Sequence, residues 1–120
     1  MQILGTGVDI VENIRIKKSL KNKLFISRIF TASEILYAKK VKDKINYYSK
    51  RFAAKEALAK SIGTGFRHNL NFKDISIVNN KDGKPSFVIT DKLKKIVKKQ
   101  FKTSSFNFFL SISDEKKYSI

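Results

Sequence analysis

Two carboxylates in apolar surroundings are the residues of this sequence whose types and positions could do chemistry. Asp9 lies within the β-branched stretch GTGVDIV, and Glu56 lies among alanines in RFAAKEALAKSIGTG. Acidic residues are scarce, with ten Asp and Glu against twenty-six Lys and Arg. Two isolated carboxylates from separate elements could together hold a hard cation such as Mg²⁺, which proteins bind through one or two carboxylates plus water and substrate phosphate.

Ordinary structural roles for both acids stay open at this point. Asp9 could end a strand and cap the next segment, since buried polar groups usually find such partners. Glu56 stands four residues before Lys60, the spacing of a helical ion pair that contributes about 0.3–0.5 kcal/mol. The small side chains of Ala53, Ala57 and their neighbours would let another group pack closely on this helix.

The glycine-rich end of the same stretch offers a second, weaker signal. Gly63-Thr64-Gly65 could present backbone N–H groups to an anion, but glycine after a helix is more often only its C-terminal cap. It lacks the spacing of a P-loop and follows a helix, where a P-loop precedes one. His68 is the one histidine and receives no role, and no Ser-His-Asp set can be argued from spacing.

Length and composition predict a single domain over residues 1–120 with a real hydrophobic core. Hydrophobic residues make up 42% of the 120, and ten are Phe. The absence of cysteine excludes disulfides and thiolate metal sites. Neither a secretory signal nor an apolar run of about 18 residues occurs, so we expect a cytoplasmic protein that does not enter the membrane.

The net charge of +16 indicates an anionic partner without saying which one. Nucleic acid, an acidic protein, anionic lipid or a phosphorylated small molecule would all fit. Lysine outnumbers arginine 22 to 4, which is typical of compositional bias, and the charge is spread along the chain. No helix-turn-helix, zinc-ligand spacing or RNA-recognition motif accompanies it.

The hydrophobic patterns predict an α+β fold in which a small antiparallel sheet packs with helices. TASE has the spacing of a capping box, and Gly63 is a helix stop. NNKDGK contains the Asp-Gly signal of a hairpin turn. The predicted elements are a strand over 2–11, a basic helix over 15–30, a helix over 31–41, a helix over 48–62, two strands in FKDISIV and PSFVIT, a helix around Leu93–Phe101 and a strand over 106–112.

Four stretches in order, GTGVDIVENIRI, RFAAKEALAKSIGTG, FKDISIVNNKDGKPSF and SIS, give the chain a family resemblance over nearly its whole length. Together they resemble the holo-[acyl-carrier-protein] synthases, the small trimeric type of 4′-phosphopantetheinyl transferase. The resemblance implies a transferase of fatty acid biosynthesis. Such enzymes move phosphopantetheine from coenzyme A to a serine of apo acyl carrier protein and release adenosine 3′,5′-bisphosphate.

The resemblance also implies roles for individual residues. Asp9 and Glu56 are expected to hold Mg²⁺, and Lys60 is expected beside the pyrophosphate as a third catalytic residue. The active sites are expected between neighbouring subunits of a homotrimer. The residues expected to bind coenzyme A are Arg51, Lys60, Gly63, Thr64, Gly65, Lys84 and Pro85.

A basic first helix is expected to receive the acidic carrier protein through Arg15, Lys21 and Arg28. One departure is visible near the C-terminus, where the family usually has Ser-Ile-Ser-His and this chain has Asp114 after Ser113. The role of that histidine therefore cannot be transferred. Two other functions remain as alternatives, a basic nucleic-acid-binding module and a non-catalytic adaptor for acidic proteins.

Overall fold

The protein, described by a computed structural model over residues 2–67 and 69–120, has an α+β fold arranged around one long helix. His68 lies outside the described residues. No helix in the described part of the chain is long and apolar enough to cross a membrane. The elements in chain order are β1 (Val11–Glu12), α1 (Asn13–Ser19), α2 (Lys23–Ile29), α3 (Ala32–Ala38), α4 (Lys44–Ile62), a 3₁₀ turn (Phe72–Asp74), β2 (Ser76–Asn79), β3 (Pro85–Val88), α5 (Asp91–Phe101) and β4 (Tyr118–Ser119).

The central helix α4 begins earlier than the sequence predicts. The Asp43 carboxylate accepts a hydrogen bond from the backbone N–H of Asn46 at 3.0 Å, which satisfies one of the free donors of the first turn. The helix ends at Gly63, whose φ of 89° is a left-handed conformation that glycine adopts without strain. The predicted stop is confirmed, and the predicted start lies four residues too late because the Asp43 cap was not recognised.

Two apolar clusters lie along α4. The first joins α4 to the N-terminal helices and is centred on Phe30, Tyr48 and Ala53. The second joins the C-terminal half of α4 to α5 and to the residues before β2, and it includes Ile62, Ile75 and Leu93. Helix α4 therefore contributes to both halves of the core.

The basic segment 15–30 forms two helices where the sequence predicts one. The Asn22 side chain accepts from the N–H of Leu24 at 2.9 Å and starts α2 as its N-cap. An asparagine at this point competes with helix continuation because its side chain bonds to nearby backbone. The capping box of α3 is confirmed, with Thr31 and Glu34 each accepting from the other's backbone N–H.

The predicted hairpin is confirmed as β2 and β3, which pair antiparallel from Ser76 opposite Val88 to Asn79 opposite Pro85. Gly83 forms its turn with a φ of 84°. The predicted opening strand is much shorter than expected, and the predicted strand over 106–112 is wrong because the described structure has its last strand at Tyr118–Ser119. Val11–Glu12 pairs with Tyr118–Ser119. Residues 2–10 and 106–112 form no strand in the described structure. Extended segments become strands only when a neighbour supplies hydrogen bonds, which this single chain does not provide there.

A buried side chain joins the start of α1 to residues 115–119. The Asn13 amide donates to the carbonyls of Glu115 and Lys116, both at 3.2 Å. It also accepts from the Ser119 hydroxyl at 2.8 Å, while the Asn13 backbone N–H donates to Lys117 at 2.7 Å. We call these four bonds the Asn13 clasp.

Candidate active site

The segment that carries Asp9 lies directly on α4 because two glycines allow it. A Cβ at Gly7 would collide with the carbonyl oxygen of Ala57, and a Cβ at Gly5 would collide with that of Ser61. Larger residues would therefore force the segment away from the helix. Gly5 and Gly7 thus let the segment pack against the small alanine and serine side chains of α4, which brings Asp9 beside the helix.

Lys60 joins the two elements. Its Nζ donates to Asp9 Oδ1 at 3.0 Å and to the Val8 carbonyl at 3.1 Å. The Asp9 side chain is largely covered, with 16% exposed, whereas that of Lys60 is 52% exposed. The ion pair of Lys60 is thus with Asp9, and the simple helical Glu56–Lys60 pair that the spacing allows is not the arrangement found. Asp9 caps no helix.

Glu56 is half-buried next to this pair. Burial raises the pKa of the Glu56 carboxyl, the Asp9 carboxylate raises it further, and Lys60 opposes both by lowering it. Because the charge of Asp9 acts on Glu56, the two carboxylates lie near each other. Such a pair offers oxygen ligands to a small divalent cation. Asp9 and Glu56 are therefore the residues of this site that could hold Mg²⁺. No cluster of three or more His, Cys, Asp or Glu occurs in the described chain.

The Gly63-Thr64-Gly65 turn follows Lys60 at the end of α4. The Gly63 N–H donates to the Lys60 carbonyl at 3.0 Å, and the Gly65 N–H donates to the Ala59 carbonyl at 3.2 Å. The Thr64 hydroxyl donates to the Gly65 carbonyl at 3.1 Å. The two glycine N–H groups thus serve as a helix cap, the ordinary use of such a sequence.

Arg51 lies on another face of α4. Its guanidinium donates to the Asn79 side chain and sits 4.5 Å from the centre of the Tyr47 ring. Five residues along an α-helix turn the side-chain direction by about 140°, so Arg51 points well away from Glu56. The Nε of Arg51 is buried without a hydrogen-bond partner in the described chain.

The hairpin next to Arg51 carries Lys84 and Pro85. Asn79, which bonds to Arg51, is paired with Pro85 across the strands and donates to the Gly83 carbonyl at 2.8 Å. The predicted site residues therefore form two groups in one chain. Asp9, Glu56 and Lys60 are together, with the glycine turn following; Arg51, Lys84 and Pro85 are associated with the hairpin.

The predicted docking residues are all exposed. Arg15 lies on α1, Lys21 in the turn after it and Arg28 on α2. Ile14 and Leu24 stand beside them with 58% and 61% of their surface exposed. A basic surface with apolar members suits an acidic protein partner.

Asp114 is engaged with α4. It accepts a hydrogen bond from the Asn46 side chain, and its Oδ1 lies 3.8 Å from the Lys50 ammonium. Asp114 thus has ordinary polar partners, at the position where the family that the sequence resembles usually has histidine.

The sequence reasoning missed a fully buried ion pair between Glu34 and Lys55, 2.6 Å apart. Lys55 stands four residues before Ala59 and seven before Ile62, both buried, so the helical spacing itself put this lysine on a core face. That spacing was the available signal.

A family model described as the 4′-phosphopantetheinyl transferase superfamily matches residues 5–117. The chain belongs to this superfamily. Among curated relatives of the superfamily, the holo-[acyl-carrier-protein] synthase of Pelagibacter ubique (strain HTCC1062) is 75% identical over 120 residues, covering all of this chain and 94% of the relative. That of Aliivibrio fischeri (strain MJ11) is 38% identical over 122 residues, covering all of this chain and 94% of the relative.

Solved structures from the superfamily share the fold. The holo-[acyl-carrier-protein] synthase of Neisseria meningitidis superposes with a TM-score of 0.88 at 38% identity, covering 98% of this chain and 94% of that one. The synthase of Bacillus anthracis str. Ames in complex with CoA (3′,5′-ADP) gives a TM-score of 0.80 at 34% identity, covering 99% of this chain and 92% of that one. The predicted family and α+β fold are confirmed.

Proposed function

We propose that this chain is a holo-[acyl-carrier-protein] synthase that transfers 4′-phosphopantetheine from coenzyme A to a serine of apo acyl carrier protein. The observation that carries the proposal is that Asp9, from the N-terminal segment, meets Glu56 and Lys60 of α4. The synthases of Pelagibacter ubique and Neisseria meningitidis support the same activity. The serine oxygen bonds to the phosphorus on the pantetheine side of the pyrophosphate of coenzyme A, and the P–O bond within that pyrophosphate breaks. The nucleotide keeps its 5′- and 3′-phosphates, so adenosine 3′,5′-bisphosphate is the second product.

Asp9 and Glu56 are the proposed ligands of Mg²⁺, which would supply positive charge to the pyrophosphate oxygens. Phosphoryl transfer asks the protein mainly for positioning and charge neutralisation. Lys60 is suited to the second task because its ammonium is half-exposed on a flexible side chain and already faces the site. We propose that it leaves Asp9 when substrate binds and pairs with the phosphate of the departing nucleotide.

Arg51, Lys84 and Pro85 are proposed to bind coenzyme A from a second copy of the chain. They lie with the hairpin and away from Glu56, so one chain does not bring all the predicted residues to one place. A site between subunits unites both groups. The glycine turn at Gly63–Gly65 is proposed to approach the pyrophosphate beside Lys60.

The proposed assembly is a homotrimer, and the surface of the single chain supports further burial. Ile3, Val8, Ile10 and Phe109 are 75%, 67%, 61% and 87% exposed. They belong to the two segments that lack strand partners and that line a groove of about 960 Å³ with α4. Contiguous exposed apolar surface of this kind marks an interface.

The whole chain is proposed to act as one domain in the cytoplasm, within fatty acid biosynthesis. Coenzyme A and an acidic apo carrier protein are its proposed partners, the latter docking on Arg15, Lys21 and Arg28. The net charge of +16 would raise the rate of encounter with both anions. The same charge would also attract nucleic acid, so the experiment must distinguish nucleic acid from the carrier protein as the partner.

The direct test is a transfer assay read by mass spectrometry. The protein is incubated with Mg²⁺, coenzyme A and an apo carrier protein, and we expect the carrier to gain the mass of one phosphopantetheine. A matched reaction with EDTA should give none. No modification by the folded protein, together with tight and steeply salt-dependent DNA binding, would overturn the proposal in favour of a nucleic-acid module.

A further inference from the structure

The fully buried pair of Glu34 and Lys55 takes no part in the chemistry proposed above. Both side chains have no exposed surface. The Lys55 Nζ donates to Glu34 Oε1 at 2.6 Å, to the Ile29 carbonyl at 2.7 Å and to the Phe72 carbonyl at 3.3 Å. All three ammonium protons therefore have acceptors.

Glu34 extends the connection to two further elements. Its Oε1 also accepts from the Thr31 N–H at 2.9 Å, and its Oε2 accepts from the Ile77 N–H at 3.0 Å. The pair thereby ties α4 to the end of α2, the start of α3, the 3₁₀ turn and β2. The three bonds that Lys55 donates are directional and charge-assisted, so each restricts rotation and sliding of α4, while the two backbone bonds to Glu34 hold its carboxylate in place.

Large apolar side chains such as Tyr48 and Ile62 pack towards the two ends of α4, whereas small side chains are common near Lys55. Several of its buried positions are alanines, Ala53, Ala54 and Ala59, whose methyl groups interlock weakly with neighbouring side chains. A buried ion pair contributes little net stability compared with an apolar substitute, and its best-attested use is to select one register among alternatives. A lysine held from three sides supplies that selection here.

We infer that the Glu34–Lys55 pair fixes the rotation and axial position of α4 and so aims Glu56 and Lys60 at Asp9. Glu56 directly follows Lys55, and one residue turns the helix by about 100°, so a locked Lys55 sets the direction of Glu56. Glu34 and Lys55 are thus positioning residues for the cation site. This inference rests on the proposed function, in which Asp9 and Glu56 bind a divalent cation.

The test measures cation affinity directly, with Mn²⁺ as a paramagnetic substitute for Mg²⁺ followed by electron paramagnetic resonance. Two variants are compared with the wild type. Glu34→Asp keeps both charges but shortens the reach to Lys55 by one methylene. The double variant Glu34→Gln with Lys55→Met removes both charges together, so neither is left buried alone.

The matched control is the ion pair between Asp74 and Lys92, at 2.7 Å, which does not include α4. Its double variant, Asp74→Asn with Lys92→Met, removes the same number of charges. Assays are run where circular dichroism shows every variant fully folded. We expect both Glu34 variants to bind Mn²⁺ about 10- to 100-fold more weakly, as when outer-shell partners are removed. We expect kcat to fall with little change in KM for coenzyme A, and the control to match the wild type.

Wild-type Mn²⁺ affinity and kcat in the folded Glu34 variants would overturn the inference and leave the proposed function intact. If the double variant does not fold, Glu34→Asp decides the matter alone. Failure of the wild type to bind Mn²⁺ would instead overturn the proposed function, and this inference with it.

Discussion

At the scale of single residues, Lys60 is bound to the Asp9 carboxylate that the proposed cation would also bind. Its bond to Asp9 Oδ1 neutralises one carboxylate while Glu56 stays half-buried beside it. Binding of a cation by Asp9 and Glu56 would free Lys60 for the anion that accompanies the cation. In the proposed mechanism, Lys60 would thus exchange the Asp9 carboxylate for a phosphate when a cation binds.

Asp9→Asn and Glu56→Gln are each expected to lower the transfer rate at least about 100-fold, the loss typical when a charge-stabilising group is removed. Both substitutions keep the shape and polarity of the side chain, so both variants should remain folded. The measurements are carrier modification by mass spectrometry and thermal unfolding by circular dichroism. An active, slightly less stable Glu56→Gln protein would instead assign Glu56 a structural ion pair.

The pH dependence of stability provides a separate prediction for Glu56. Burial and the nearby Asp9 raise the pKa of its carboxyl in the folded state. Above that pKa the ionised carboxylate lowers the stability of the metal-free protein, and this cost disappears as the pH falls through the raised pKa and the folded state takes up the proton.

We therefore expect metal-free Glu56→Gln to be more stable than the wild type at neutral pH, with the difference shrinking on acidification. Urea unfolding in EDTA at several pH values measures it. A difference that grew as the pH fell would mean that the folded-state pKa of Glu56 is depressed.

The sequence predicted the neighbourhood of Asp9, Glu56 and Lys60, but not their pairing. Spacing along a helix tells which side chains share a face. It does not tell which carboxylate takes the ammonium, because that depends on the approach of Gly5 and Gly7 to α4 from a distant part of the chain. Lys55 was missed for a related reason, since its partner Glu34 comes from another helix.

At the scale of elements, the division of the basic segment into α1 and α2 changes the shape of the predicted docking surface. The Asn22 cap ends the possibility of one straight helix, so Arg15 and Arg28 lie on two helices joined by the turn that carries Lys21. The exposed Ile14 and Leu24 accompany them. The positive charges of Arg15 and Arg28 would therefore contact an acidic partner from two directions.

Arg15→Glu and Arg28→Glu are each expected to raise KM for the carrier protein about tenfold, equivalent to about 1.4 kcal/mol. KM for coenzyme A should stay near its wild-type value, and the effect on the carrier should weaken in high salt. Steady-state kinetics with each substrate varied in turn provides the measurement.

Lys95→Glu is the matched control because this exposed lysine lies on α5, away from α1 and α2 in the chain, and its reversal changes the net charge equally. Equal effects from all three reversals would point to overall charge and would remove α1 and α2 from the docking surface.

The elements that the sequence predicted well carry local signals for their starts, turns or ends. Gly63 ends α4, Thr31 and Glu34 begin α3, and Gly83 turns the hairpin. The terminal strands were overestimated because alternation of apolar residues, as in Phe106, Phe108 and Leu110, reports a tendency to be extended. Pairing requires a partner that the sequence of one chain cannot specify.

At the scale of the whole molecule, the same unpaired segments are the strongest feature of the surface. Ile3 and Phe109 are mostly exposed, and both segments border the groove along α4. Residues 2–10 also carry Asp9. The proposed assembly and the proposed catalysis would thereby depend on the same stretch of chain.

Phe109→Ser is expected to break the proposed trimer and to lower transfer activity with it, because the two groups of substrate-binding residues would no longer meet. Analytical ultracentrifugation measures the assembly, and the transfer assay measures the consequence. Leu36→Ser serves as the control, since Leu36 is 60% exposed on α3 and outside the groove. A monomeric Phe109→Ser protein with full activity would contradict a shared site.

The Asn13 clasp has a consequence for the order of events during synthesis. It joins the first residue of α1 to residues more than a hundred positions later, so closing it waits until that part of the chain has left the ribosome. Contacts of such sequence separation form late because a long loop must be closed first. The Asn13 clasp therefore forms only after residues 115–119 have been synthesised, and a nascent chain that is shorter than this would lack the anchor at the start of α1.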